Sequence, residues 1–83
     1  MNTEFEQLLK ALVAPIVTNP DDVSISSFVD VDETVVLQVL VSKDDLGRVI
    51  GKGGRIANAI RTVAHASASR AGKKIKIEFD SYE

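Results

Sequence analysis

A chain of 83 residues, 45% hydrophobic, with a net charge of −2 and no cysteine, has room for one small domain with its own core. Those values exclude a disulfide framework, a thiolate metal site, a cysteine nucleophile and a disordered chain. No apolar run approaches membrane-spanning length and no basic start precedes an apolar stretch, so a cytoplasmic protein is expected.

In chain order, Thr3-Glu4-Phe5-Glu6 has capping-box spacing, with Thr3 as N-cap and Glu6 reaching back. Phe5, Leu8, Leu9, Leu12, Val13 and Ile16 then recur at three- and four-residue steps, which predicts a helix with one buried face. Pro15 kinks or ends it, and Asn19-Pro20-Asp21-Asp22 is a turn. Val23, Ile25 and Phe28-Val29 read as a first strand, loosely patterned around Ser26-Ser27. Asp30–Glu33 connects it to Thr34–Val41, a nearly continuous β-branched and apolar run interrupted by Gln38. So short a link predicts an antiparallel hairpin. The three acids of the link lack the spacing and the glycine of a calcium loop, and no metal is expected.

Ser42-Lys43-Asp44-Asp45 reads as a second helix start, with Ser42 as N-cap and both aspartates in the favourable first turn. This short helix carries Leu46, Val49 and Ile50, and its Gly47 suggests close packing against a neighbour. A third helix is predicted over about Arg55–Ser69. On it Ala66, Ala59, Val63, Ile56, Ser67, Ile60, Ala64, Ala57 and Ala68 fill an arc of roughly 200°. His65 sits in the polar arc without a catalytic partner. Ile75, Ile77 and Phe79 alternate with Lys74, Lys76 and Glu78, a half-buried strand after the Ala71-Gly72-Lys73 turn. The order α-β-β-α-α-β, in one domain spanning 1–83, has no linker or repeat.

Between the second and third helices stands Val49-Ile50-Gly51-Lys52-Gly53-Gly54-Arg55-Ile56. Three glycines in four positions leave a bare backbone tip whose one side chain is a lysine, set before free helical amides. That combination suits a phosphate. It is not a P-loop, because Lys52 is followed by Gly53 rather than serine or threonine. It is not the dinucleotide fingerprint either, since Ile56 stands where a third glycine belongs.

The charge distribution agrees with a local anion site. Residues 1–42 hold seven acids against Lys10, whereas residues 43–76 hold nine bases against Asp44 and Asp45. Arg48, Lys52, Arg55 and Arg61 cluster around the loop, so an acidic molecule can present one basic face.

The loop, carried as Ile50-Gly51-Lys52-Gly53-Gly54-Arg55-Ile56, resembles the Gly-x-x-Gly signature of the KH nucleic-acid-binding module. With the element order it resembles the type II KH fold over the whole chain. The run Asp45 to Ile56, followed by Ala59-Ile60-Arg61, looks like the small bacterial KhpA family. The departure is Gly53, where members often carry a bulkier polar residue. The resemblance implies an α+β fold, a three-stranded mixed sheet packed on three helices. It implies single-stranded RNA in a groove bordered by the loop, its two helices and the long strand. Arg48, Ile50, Gly51, Lys52, Gly53, Gly54, Arg55 and Ile56 would form that site, with loop amides and Lys52 on phosphates, Arg55 and Arg48 adding charge, and Ile50 and Ile56 flooring the bases.

Self-association, pairing with a larger partner of the KhpB (Jag) family, and a post-transcriptional or RNA-chaperone role linked to cell elongation and envelope homeostasis are further implied. A dimer interface is expected on Ala59, Val63 and Ala66 of the third helix. The competing class is a protein–protein dimerisation module with the KH shape and little RNA binding of its own. No nucleophile, catalytic pair or cofactor motif supports an enzyme.

Overall fold

The computed structural model describes residues 3–82. Helix α1 (Thr3–Val13) is followed by strands β1 (Ser24–Val29) and β2 (Val35–Val41), helices α2 (Leu46–Ile50) and α3 (Arg55–Arg70), and strand β3 (Ile75–Ser81). β2 lies between the other two strands, antiparallel to β1 and parallel to β3. The sheet is therefore mixed, and with three helices the chain is α+β.

Registration explains the layers. Ile25, Val39 and Phe79 share one row, and Ser27, Leu37 and Ile77 the next. Leu37 and Val39 are completely buried, so this is the face the helices cover. α1 contributes Phe5, Leu9 and Val13 to the same core, α2 contributes Val49, and α3 contributes Ile60, Ala64 and Ala68. The opposite face carries Phe28, Val36 and Lys76 in one row and Ser26, Gln38 and Glu78 in another.

Pro15 ends α1 at Val13 and tightens the next residues, Ala14–Ile16, into a 3₁₀ turn. Thr3 is itself helical rather than the residue before the helix. Glu6 does not reach back to it; its carboxylate accepts the Ser27 hydroxyl of β1. That bond places Ser27 on the helix-covered face, and β1 runs through Ser26-Ser27 without a break. The hairpin closes through Val31, Asp32 and Glu33, with Glu33 left-handed at φ 64° and Asp30 accepting the amides of Asp32 and Thr34.

Three readings of the second helix are corrected. Lys43–Asp45 is a 3₁₀ turn, and Ser42 makes no side-chain capping bond to it. Asp45 does not point to water at a helix start but is fully buried. Its carboxylate accepts the Thr18 amide at 2.9 Å, the Thr18 hydroxyl at 2.8 Å, the Asn19 amide at 2.9 Å and the Ser42 hydroxyl at 3.0 Å. Burial alone would raise its pKa; these donors outweigh that and hold it well below the usual carboxylate range. Gly47 is exposed, and a Cβ there would meet nothing within 4 Å, so no close neighbour demands the glycine.

Candidate nucleic-acid interface

α2 leaves the core on Val49, which is fully buried, and Ile50, which is half-buried. Gly51 then turns the chain at φ 76°, with its amide on the Gly47 carbonyl at 2.9 Å. Gly53 and Gly54 are also left-handed, at φ 65° and 82°. The Gly54 amide closes on the Gly51 carbonyl at 3.1 Å, and α3 begins at Arg55.

The three glycines are not equivalent. A Cβ on Gly51 would stand 2.4 Å from Ile56 Cγ1, whereas one on Gly53 meets nothing and one on Gly54 meets Asn58 Nδ2 at 3.8 Å. Gly51 is required by both conformation and packing; the other two are required by conformation.

Among the described residues, the amides of Lys52 and Gly53 make no turn or capping hydrogen bond. Gly54, as N-cap of α3, offers no side-chain acceptor to the first helical amides. The loop thus presents unspent donors beside a helix start, where an anion is favoured. Lys52 and Arg55 are exposed, and the ion pairs among the described residues are Arg48–Asp45 and Lys76–Glu78. Arg48 is partly compensated, with Nε 3.7 Å from Asp45 Oδ1 and a side chain that remains 59% exposed.

The eight residues expected at the site are therefore contiguous around one loop, but they do not share one role. Ile56, expected in the apolar arc of the third helix and as part of the floor for bases, is 38% exposed. The inward position at the head of α3 is Ala57, at 3% exposure. Ile56 instead lies under the turn at Gly51.

β2 is hydrogen-bonded to a strand on each side, while α2 and α3 both pack against β3. The outer edge of β3 is partly occupied by Arg61. The Arg61 guanidinium lies 5.1 Å from the Phe79 ring centre, donates from Nε to the Ile77 carbonyl at a long 3.4 Å, and donates from Nη1 to Asn58 Oδ1 at 3.3 Å.

Two residues near the site were not singled out from the sequence as part of it, Asp45 and Asn58, while Arg61, expected in the basic cluster around the loop, is engaged by Ile77 and Phe79 of β3. Asn58 was legible in principle, since a residue four after Gly54 lies above the first helical turn. On α3 itself, Ala57, Ile60, Ala64 and Ala68 are buried, while Ala59, Val63 and Ala66 are exposed, Val63 by 47%. No group of three or more metal-ligating side chains is found among the described residues.

A search of solved structures finds Era, in complex with MgGDPNP and nucleotides 1506–1542 of 16S ribosomal RNA, similar at TM-score 0.63. The match covers 93% of this chain and 29% of that one at 11% identity, which speaks for the fold alone. Curated relatives are nearer. The RNA-binding protein KhpA of Listeria monocytogenes serovar 1/2a is 47% identical over 73 residues, covering 88% of this chain and 95% of the relative. The RNA-binding protein KhpA of Bacillus subtilis strain 168 is 40% identical over 73 residues, covering 88% and 89%. The family described as KhpA/KhpB, KH domain matches residues 6–79, and with that match the chain belongs to the KhpA/KhpB KH-domain family.

Proposed function

We propose that the protein binds single-stranded RNA through the Gly51–Gly54 loop and the groove between α2, α3 and β3. The observation that carries this is the loop itself. Three left-handed glycines, free amides at Lys52 and Gly53, and an uncapped α3 converge on one exposed lysine. Lys52 and Arg55 neutralise backbone phosphates, and Arg48 adds a weaker cation because Asp45 already compensates it. Gly51 and Gly54 let the backbone approach the strand, and Ile50 and Ile56 offer apolar surface to bases. Exposed aromatics are scarce here, so aliphatic packing and hydrogen bonds hold the bases and sequence preference is loose. The names of the KhpA relatives support RNA as the ligand.

The proposal extends to a cytoplasmic RNA-chaperone or post-transcriptional role, linked to cell elongation and envelope homeostasis, which rests on the family resemblance. The working unit is a homodimer or a pair with a KhpB (Jag)-type partner. The exposed stripe Ala59-Val63-Ala66 supports an isologous helix contact, because small residues allow two helices to approach closely. That stripe also favours the second reading, a dimerisation module with little RNA binding.

The deciding experiment is Lys52→Asp with Gly53→Asp, assayed with single-stranded RNA at several salt concentrations. Wild type should bind with a log–log salt slope near about −2 to −3, reflecting few phosphate contacts. The double variant should lose binding while keeping its circular dichroism spectrum. Retained affinity in the folded variant would leave the dimerisation reading.

A further inference from the structure

The two edges of the sheet are defended differently. On β3, Arg61 reaches the outward Ile77 carbonyl, and Lys76, Glu78 and Asp80 put charge along the strand. β1 has no such protection. Its sequence, Ser-Ile-Ser-Ser-Phe-Val, contains no charge and no proline, and its pairing with β2 is continuous from Ser24↔Leu40 to Val29↔Val35, without a bulge.

The register shows which backbone groups are unspent. Asp30 donates its amide to the Thr34 carbonyl at 3.0 Å, which marks a hydrogen-bonded pair just beyond the strand. Antiparallel pairs alternate, so Phe28, Ser26 and Ser24 bond to β2. The amides and carbonyls of Ile25, Ser27 and Val29 then face away from the sheet. Phe28 and Val29 are 57% and 56% exposed. A groove of about 320 Å³ runs between α1 and the start of β1, with Glu6, Gln7, Val23 and Ile25 in its lining.

We propose that the β1 edge accepts an extended peptide as a fourth strand, apolar in its middle and basic at both ends. Charge decides the occupant. The uncharged strand is flanked by exposed Asp21 and Asp22 at one end and exposed Asp32 and Glu33 at the other. Lys10 is the one base lining the α1 groove. Lys73 and Lys74 share a cleft with Asp32 and Glu33 on the β3 side, without an ion pair among the described residues. A polyanion is repelled from this edge. So is a second copy: two-fold pairing centred on Ser27 would set Asp22 against Asp32 and Asp21 against Glu33 of the other chain, like charges facing each other.

The test is amide hydrogen exchange of the full chain with the synthetic peptide Lys-Lys-Thr-Val-Thr-Val-Thr-Lys-Lys. The Ile25, Ser27 and Val29 amides should exchange quickly in the free protein and slow at least about tenfold with peptide. Asp22→Lys with Asp32→Lys, at exposed positions, should weaken the basic peptide at least about tenfold and improve binding of its glutamate-flanked counterpart. The unchanged exchange of the β2 and β3 amides reports that the variant is folded. No protection at millimolar peptide, or equal binding by the charge-reversed variant, would overturn the proposal. Protection of the same amides that rises with concentration of the free protein would overturn it too, assigning the edge to a second copy.

Discussion

The Asp45 carboxylate accepts the Thr18 amide at 2.9 Å across 27 residues of chain, tying the segment after α1 to the turn that starts α2. With every buried side-chain polar atom among the described residues satisfied, the bond belongs to a closed network. Removing the carboxylate leaves the Thr18, Asn19 and Ser42 donors unpaired. Asp45→Ala should lower the melting temperature by about 10 °C or more. Because the folded carboxyl is held below its ordinary pKa, the stability it contributes is complete at neutral pH and is lost as pH falls below about 4. Thermal melts between pH 7 and pH 3 should show a shallower acid limb in Asp45→Asn than in wild type.

The loop glycines separate conformation from packing. Gly53→Ala strains only a left-handed residue in open space and should cost about 1 kcal/mol with RNA affinity reduced modestly. Gly51→Ala adds a Cβ 2.4 Å from Ile56 Cγ1, so α2 and α3 must move apart and binding should be abolished. Paired denaturant titrations and RNA titrations of the two variants check both statements.

The outer stripe of α3 tests self-association. Val63→Glu, at a half-exposed position, should sediment as a folded monomer with an unchanged melting temperature at low concentration. Wild type at tens of micromolar should sediment as a dimer; a wild-type monomer would leave the stripe to a KhpB-type partner.

Gly47 offers the opposite kind of change. It lies in the short α2 with open space around it, so Gly47→Ala should raise the melting temperature by about 3–6 °C. A fall would show that the glycine serves a movement of α2 rather than its folded form.

Much of this was legible before any coordinates. The 3.6-residue period of Phe5, Leu9 and Val13, the β-branched run of β2 and the glycine spacing each report a local rule, and local rules are written in neighbouring residues. The loop residues came together because they are consecutive. What stayed hidden was long-range. Asp45 looks like any first-turn aspartate until Thr18 and Asn19 arrive to bury it. Which strand is central is equally long-range, and the antiparallel β1–β2 and parallel β2–β3 pairings decide it. Ile56 and Ala57 both lie in the apolar arc of the wheel, which ranks hydrophobicity without knowing where the preceding turn lies; the small Ala57 takes the inward place.

The Arg61 strap has a consequence for solubility. A sheet open on both sides can be lengthened without limit, each newcomer offering a fresh template to the next, which is how fibres grow. Here one side is plugged by the chain's own guanidinium over Ile77 and Phe79. A strand added at β1 therefore finds no second growing end on the same molecule. A peptide seated on β1 would complete a sheet of four strands with the strapped β3 at its far side, so this architecture can lend out an edge without seeding an aggregate.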